Sequence, residues 1–208
     1  MKTIAILSDS YATFEGWIPQ GQESFYPHPD LDVKKVEETW WYQLCEKKHL
    51  KLIRNDSWSR ATMSTSVRPK MDKSCSFVSR VQTTFGKESE IKPDLILILG
   101  ATNDAWMGIT AGNVQYENWQ EEDLQQVLPA FCYILHIVKK YQPQARIINV
   151  INAKRMIPDE AIRAGMKEAC EHYGIQWIEL EDFWSSGGHP TVRGMREIAE
   201  QIEKRIEL

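Results

Sequence analysis

The sequence predicts a three-layer α/β/α sandwich built around a five-stranded parallel sheet. Short apolar, β-prone runs alternate along the chain with amphipathic helical segments, which is the pattern of α/β folds. The strongest run, Asp94–Leu99, is apolar at every position after the aspartate, as expected for a parallel strand covered on both faces. At 208 residues and 42% hydrophobic, the chain suits one domain, which we predict over residues 1–208.

The elements follow one another in a regular order. The five predicted strands are 4–7, 50–53, 94–99, 146–151 and 175–178. Apolar side chains at helical spacing indicate helices between and after them, the clearest over 124–138 and 195–206. Pro190 is expected in the first turn of the last helix. Residues 16–32 are predicted to form a long loop, and the polar segment 58–92 an insertion in which only Ser76–Val78 is helical and packed; both are expected to shape a site.

Composition excludes several classes of partner. The net charge of −4 argues against a nucleic-acid-binding protein, and no apolar run reaches the ~18 residues of a membrane span. The N-terminal run Ile4–Leu7 is too short for a signal-peptide core, which predicts a cytoplasmic chain, although a chain whose leader had been removed would look the same. The four cysteines are far apart and form no CxxC, so we predict buried free thiols and neither a zinc site nor disulfides.

Polar residues cluster where the predicted strands end. The clusters are Ser8–Tyr11, 55–62, 100–104 and 187–190. The carboxyl ends of parallel strands share one edge of the sheet, so these clusters can converge. They hold a hydroxyl, a histidine and a carboxamide, which are the nucleophile, general base and oxyanion donor of acyl transfer. The motifs GxGxxG, GxxxxGK[ST], HExxH and GxSxG are absent, which disfavours dinucleotide, P-loop, zincin and ordinary α/β-hydrolase chemistry.

In this order the clusters resemble the SGNH (GDSL-type) hydrolases, a family of esterases, lipases and acyl hydrolases with a flavodoxin-like fold. Ser8-Asp9-Ser10 is similar to the family's GDS block, which implies that Ser10 is the nucleophile. The segment 100–104 matches GxxND and implies that Asn103 supplies an oxyanion-hole amide. His189-Pro190 matches the final HP and implies that His189 is the base. Residues 9–16 and 39–41 resemble a bacterial subgroup of the family, and the resemblance implies no metal or cofactor.

Three positions depart from the family pattern. Ser8 replaces a glycine, and Arg60 stands where the second block has its oxyanion glycine. The Arg60 N–H can still donate if its backbone conformation allows, so Arg60 remains a candidate site residue. Its guanidinium is expected to fill part of the acyl or leaving-group pocket and to favour anionic esters.

The third departure is Ser186, which replaces the triad aspartate three residues before His189. Asp182 or Glu181 can supply a carboxylate if the chain folds back at the glycine pair 187–188. We favour instead a Ser-His dyad in which a backbone carbonyl or the Ser186 hydroxyl accepts the Nδ1 proton.

The predicted function is that of a serine esterase acting through an acyl-enzyme on a small-molecule or carbohydrate ester. An O-acetylated carbohydrate is favoured by the resemblance and by the eight tryptophans, of which Trp17, Trp58 and Trp106 neighbour the catalytic blocks. Two alternatives remain at this point: an acyltransferase using the same residues, and a binding protein on this scaffold that has lost catalysis. Asp9 and Asp104 are expected to be structural, and His28, His49, His136 and His172 to serve surface or packing roles.

Overall fold

The computed structural model describes residues 1–206, so the last two residues of the predicted domain lie outside it. Five parallel strands form one sheet in the order β2-β1-β3-β4-β5, with helices on both faces, which confirms the predicted fold class. The strands are β1 (Thr3–Ser8), β2 (Lys51–Ser57), β3 (Leu95–Gly100), β4 (Arg146–Ile151) and β5 (Gln176–Glu179). An antiparallel pair of two-residue strands, β6 (Ser185–Ser186) and β7 (His189–Pro190), lies outside this sheet.

Six α-helices lie within the described residues: α1 (Trp40–Lys48), α2 (Phe77–Phe85), α3 (Thr102–Trp106), α4 (Val127–Tyr141), α5 (Glu160–His172) and α6 (Val192–Glu203). Helices α1 and α6 cover one face of the sheet, while α2, α4 and α5 cover the other. Within β3, Leu95, Leu97 and Leu99 enter the first core, and Ile96 and Ile98 enter the second. Burial on both faces is the reason that this strand is apolar at every position.

Strand β2 is longer than the predicted 50–53. It continues through Asn55, Asp56 and Ser57, which are polar but buried. These side chains have hydrogen-bond partners: the Asn55 amide donates to the Ala12 carbonyl at 2.9 Å, and the Ser57 hydroxyl donates to Asn55 Oδ1 at 2.5 Å. Because paired polar groups can be buried at little cost, hydrophobicity alone placed the end of the strand too early.

The polar segment 58–92 contains more helix than predicted. Helix α2 runs from Phe77 to Phe85, well beyond Ser76–Val78, and the Ser76 hydroxyl caps it by accepting from the Ser79 N–H at 3.2 Å. The helix was not predicted in full because polar residues interrupt its apolar pattern, and two of them, Arg80 and Thr84, are buried with the apolar ones.

The start of the last helix also differs from the prediction. Helix α6 begins at Val192, with Thr191 as its N-cap accepting from the Gly194 N–H at 3.3 Å, while Pro190 lies in β7. A threonine side chain can satisfy a first-turn N–H and so fixes the helix start two residues later than the proline suggested.

All four cysteines are buried and free, as predicted. Across residues 1–206, no helix combines the length and the apolar character needed to cross a bilayer.

Candidate active site

The loop that carries Ser10 follows β1 and is held by two indoles from α1. Trp40 Nε1 donates to the Tyr11 carbonyl and Trp41 Nε1 to the Ala12 carbonyl, each at 2.9 Å. Both tryptophans are fully buried. Because the indoles satisfy carbonyls just after Ser10, the loop has a fixed path out of the strand, and Ser10 faces the carboxyl edge of the sheet.

His189 is placed by a tight hairpin. Gly187 and Gly188 connect β6 to β7 with φ values of 55° and 80°. Two central residues with positive φ are what a two-residue type I′ hairpin turn requires, and glycine adopts them without strain. Two tyrosine hydroxyls hold this hairpin: that of Tyr11 donates to the Gly188 carbonyl at 2.6 Å, and that of Tyr26 donates to the Pro190 carbonyl at 2.8 Å. The backbone on each side of His189 is therefore fixed by a buried phenol.

The structure brings Ser10 and His189 together. His189 Nε2 lies 3.0 Å from Ser10 Oγ, and His189 Nδ1 lies 3.3 Å from the Gly187 carbonyl oxygen. A carbonyl can only accept, so this arrangement favours the tautomer with the proton on Nδ1 and leaves Nε2 free to accept from the serine hydroxyl. That is the protonation state a general base needs.

The imidazole is also fixed by aromatic stacking. The Phe25 ring lies parallel to it, with centroids 3.6 Å apart and an interplanar angle of 11°, and His28 stacks on the other face of Phe25. Burial lowers the pKa of His189 to about 4, with a further lowering from the nearby His28, while the Gly187 carbonyl acts in the opposite direction. His189 is thus neutral throughout the neutral pH range.

The two carboxylates that were candidates for a third member of the triad, Asp182 and Glu181, form ion pairs with arginines. Asp182 pairs with Arg155 at 3.0 Å, and Glu181 pairs with Arg205 at 3.6 Å. Within the described chain, no carboxylate lies within 4.0 Å of the His189 ring. The glycine pair closes a tight turn and does not bring Asp182 back to the ring, so the geometry matches the predicted dyad in which a backbone carbonyl accepts the Nδ1 proton.

Asn103 lies at the start of α3 with its amide oriented by two contacts. Its Nδ2 donates to the Ala61 carbonyl at 3.0 Å, and Arg68 Nη2 lies 3.4 Å from its Oδ1. An amide has two N–H donors, so one remains for a ligand. Asn103 lines the same cleft as Ser10 and His189.

Arg60 has the backbone conformation of the glycine that it replaces. Its φ is 66°, in the left-handed region. In residues 1–206, neither its N–H nor that of Ser10 has a hydrogen-bond partner, so both can be donated to an oxyanion. Its guanidinium, however, forms an ion pair with Glu23. Arg60 lines the cleft, and its preference for anionic esters stays a prediction, which the ion pair with Glu23 weakens.

Asp104 ties the second and third polar clusters together. Its carboxylate accepts from the Met63 N–H at 2.8 Å, the Ser64 N–H at 3.1 Å and the Ser64 hydroxyl at 2.8 Å. Burial raises the pKa of Asp104, and these hydrogen bonds act in the opposite direction. Asp104 thus has the structural role expected for it, and it holds the segment after Arg60 against α3.

Asp9 is buried with a single partner, the Tyr11 N–H at 3.0 Å from Oδ1, while Oδ2 has none among the described residues. Burial raises the pKa of Asp9 to about 7. Asp9 does not line the cleft.

The cleft above Ser10 has a volume of about 550 Å³. None of its eleven lining residues is aliphatic, and the apolar surface comes from two aromatic side chains, Phe25 and Trp106. Of the three tryptophans singled out in the sequence, Trp106 lines this cleft, whereas Trp17 packs on Trp41 and Trp58 packs against the core.

Sequence reasoning did not identify five residues of the cleft: Glu23, Ser24, Phe25, His28 and Arg68. The first four belong to the loop 16–32, where the concentration of aromatic residues was the available signal; His28 was expected only in a surface or packing role. Arg68 lies in the polar segment after β2 and has no local pattern that marks it. No group of three or more histidine, cysteine, aspartate or glutamate side chains in residues 1–206 is arranged to hold a metal ion.

Comparison with known proteins identifies the family. The model of the GDSL-like lipases and acylhydrolases matches residues 2–206. The chain belongs to this family. The family consists of ester hydrolases, and the chain is therefore an enzyme of that class. A search of curated proteins finds no match.

Two solved structures from Bacteroides are similar over almost the whole chain. A GDSL-like lipase structure from Bacteroides uniformis has 38% identity and a TM-score of 0.89, covering 99% of this chain and 95% of that one. One from Bacteroides ovatus has 35% identity and a TM-score of 0.89, covering 99% and 97%. An acetyl xylan esterase from Butyrivibrio proteoclasticus shares the fold alone, at 14% identity and a TM-score of 0.64 over 98% of this chain and 62% of that one.

This GDSL-like hydrolase accommodates its serine at position 8 without strain. The Ser8 side chain is buried, and its hydroxyl donates to the Leu99 carbonyl at 2.9 Å. The substitution adds a link between β1 and β3 at the edge that carries the site, so this departure from the family pattern is structural.

Proposed function

We propose that the protein hydrolyses a short-chain carboxylic ester through an acyl-enzyme on Ser10. The favoured substrate is the O-acetyl ester of a carbohydrate. The observation that carries this proposal is the 3.0 Å contact between Ser10 Oγ and His189 Nε2 in a cleft that also holds Asn103. A hydroxyl hydrogen-bonded to a neutral imidazole is the arrangement of an activated serine.

The reaction proceeds in two steps, acylation of Ser10 and hydrolysis of the acyl-enzyme. Ser10 Oγ attacks the ester carbonyl carbon while His189 Nε2 takes the hydroxyl proton, and the resulting oxyanion accepts from the Ser10 N–H, the Arg60 N–H and the Asn103 amide. Collapse of the tetrahedral intermediate expels the alcohol, which receives the proton from His189. Water then attacks the acyl-enzyme with His189 again as base, and the acid leaves as Ser10 regains its proton.

The lining of the cleft supports a short acyl chain. A long fatty chain is stabilised by burial against aliphatic side chains, and none lines this cleft. The exposed Trp106, 42% accessible, stands beside the Ser10–His189 pair and offers an indole face of the kind on which sugar rings pack. This aromatic surface favours a carbohydrate as the alcohol. The acetyl xylan esterase of similar fold is consistent with that choice.

Serine-directed labelling tests the nucleophile. A fluorophosphonate is expected to add one adduct mass to the wild-type protein and none to Ser10→Ala, with hydrolysis of para-nitrophenyl acetate lost in parallel. Ser24→Ala is a matched control from the same cleft and should be labelled like wild type. Labelling of Ser10→Ala at the wild-type rate would overturn the assignment.

Substrate class is tested by acetate release from acetylated sugars compared with para-nitrophenyl acetate and octanoate. The proposal expects the acetylated sugar to be hydrolysed with the higher kcat/KM and Trp106→Ala to raise KM for the sugar more than for the nitrophenyl acetate. Faster hydrolysis of the octanoate, or an equal effect of Trp106→Ala on both acetates, would contradict it.

A further inference from the structure

We propose that the ester bound in this cleft carries a carboxylate and that Arg68 binds it. This inference rests on the proposed function, because it concerns the substrate of the same site. Arg68 was not singled out by the sequence.

Charge in the cleft is not balanced. Its acidic and strongly basic side chains are Glu23, Arg60 and Arg68. The Glu23 carboxylate forms an ion pair with the Arg60 guanidinium, so these two charges balance one another. Arg68 lies within 4.0 Å of no carboxylate in the part of the chain that the structure describes. One guanidinium charge therefore faces the cleft without a counter-charge.

The hydrogen-bond donors of Arg68 are also largely unused. Its Nε is buried and has no partner among residues 1–206, and the polar contact of its Nη2 is the long one, 3.4 Å, to Asn103 Oδ1. A buried guanidinium N–H without an acceptor is destabilising. A carboxylate from a ligand is the complementary group, because its two oxygens match the planar fork formed by the two terminal nitrogens.

Arg68 is presented by an anchored segment. The Thr65 N–H donates to the Leu124 carbonyl at 2.8 Å, and the Ser66 hydroxyl donates to the Gln125 carbonyl at 2.9 Å. The backbone two residues before Arg68 is thus fixed against the chain that leads into α4. A positioned cation next to an oxyanion-hole amide selects substrates by charge.

The contact with Asn103 sets where the carboxylate lies. Asn103 adjoins the carbonyl under attack, and both halves of an ester meet at that carbon. The carboxylate can therefore belong to the acyl group, as in a hemisuccinate, or to the alcohol, as in an acetylated uronic acid. The same guanidinium would serve either, so the test contains one arm for each source.

The test compares charged and neutral esters of matched shape. The acyl arm uses para-nitrophenyl hemisuccinate and its neutral methyl ester, and the alcohol arm uses O-acetylated methyl glucuronide and methyl glucoside. In at least one arm, Arg68→Gln is expected to lower the ratio of kcat/KM for the charged to the neutral ester by about ten- to a hundredfold. Arg68→Lys should retain part of the ratio, because it keeps the charge and loses the fork.

Two further variants sharpen the result. Glu23→Gln is expected to raise the ratio, because it releases the Arg60 guanidinium from its ion pair. Arg146→Gln removes the same charge from the start of β4, at the opposite edge of the sheet, and should leave the ratio unchanged. Circular dichroism of each variant establishes that it is folded.

Two results would overturn the proposal. A charged-to-neutral ratio that is unchanged in both arms would mean that Arg68 does not bind the substrate's charge, and an equal fall of both rates would then assign Arg68 only to the orientation of Asn103. If wild type hydrolyses no ester, the proposed function fails, and calorimetry with succinate and methyl glucuronide then decides about Arg68. Binding that is lost in Arg68→Gln would support the anion site, and no binding to wild type would reject it.

Discussion

His189 is oriented by neighbours that carry no negative charge. Its Nδ1 faces the Gly187 carbonyl, its ring lies flat on Phe25, and the flanking carbonyls are held by Tyr11 and Tyr26. In a full triad a carboxylate both fixes the tautomer and stabilises the imidazolium. Here the carbonyl fixes the tautomer and packing fixes the ring, and among residues 1–206 no carboxylate contacts the ring nitrogens to stabilise the cation that forms during catalysis.

Asp182 is expected to contribute little to the rate. Its carboxylate pairs with Arg155 and its side chain is 69% exposed. Asp182→Asn should therefore change kcat/KM by less than about tenfold, under ~1.4 kcal/mol of barrier. A loss of about a thousandfold in a variant with a wild-type circular dichroism spectrum would identify Asp182 as a third member of the site. Ser186→Ala is the companion variant and is also expected to be close to wild type.

Phe25 is expected to act as a positioning residue. Phe25→Leu keeps apolar bulk but removes the flat surface 3.6 Å from the imidazole. The freed ring should lower kcat by about tenfold, since misoriented catalytic groups lose rate steeply. Because the opened stack also rehydrates His189, the acid limb of kcat/KM should move up toward the ordinary histidine pKa of 6.5. A fall in activity with an unmoved pH profile would show that Phe25 has only a packing role.

At the scale of elements, α2 is joined to the ends of β1 and β2 by one buried side chain. Arg80 donates to the Ser8 carbonyl at 3.0 Å, to the Asp56 carbonyl at 2.6 Å and to the Cys75 carbonyl at 2.9 Å, and it pairs with the Asp56 carboxylate at 3.0 Å. The two charged side chains are 4% and 1% exposed. The Arg80 guanidinium therefore links the ends of β1 and β2, which carry two of the polar clusters.

Breaking this buried pair is expected to be costly. Arg80→Leu removes the counter-charge of Asp56, whose carboxylate keeps its hydrogen bonds from Gln22 and Thr84, and it removes one donor from each of three carbonyls. It should lower the free energy of unfolding by about 3–5 kcal/mol in urea titrations at pH 7. Arg193→Leu is the matched control: its ion pair with Glu197 is on the surface of α6, where such pairs contribute under about 1 kcal/mol. Equal effects of the two substitutions would contradict the role assigned to Arg80.

At the scale of the whole molecule, pH acts on two buried groups in opposite directions. His189 has a pKa of about 4, below its ordinary 6.5, so the unfolded chain binds more protons between those values and the free energy of unfolding falls as the pH falls. Asp9 has a pKa of about 7, above its ordinary 3.8, so the folded chain binds more protons in that window and the free energy of unfolding rises as the pH falls. The two contributions offset one another in the wild-type protein.

Variants should separate the two contributions. Asp9→Asn removes the opposing group, so its stability should fall more steeply than that of wild type from pH 7 to pH 4, by at most about 1.4 kcal/mol per pH unit. His189→Gln should show the reverse trend. Denaturant midpoints at a series of pH values measure both, and parallel curves for all three proteins would contradict the assigned pKa directions.

The amino-acid pattern was sufficient to predict the layers of this fold and the residues that meet at the carboxyl edge of its sheet. Alternating periodicity identified the strands, and the polar clusters after them contain Ser10, Asn103 and His189, which the structure places around one cleft. The pattern identifies such strands because a strand that is buried on both faces is apolar at consecutive positions.

The surroundings of those residues depend on the three-dimensional packing of the loops. The Phe25 stack, the pairing of Arg60 with Glu23 and the unpaired charge of Arg68 depend on loops that are distant along the chain, and no local pattern encodes which side chains such loops bring together. The same holds for Asp182, which lies seven residues before His189 (189 − 182 = 7) yet pairs with Arg155. From the sequence, Asp182 could have reached either His189 or another partner. The tight turn at Gly187–Gly188 and the ion pair with Arg155 keep it away from the His189 ring.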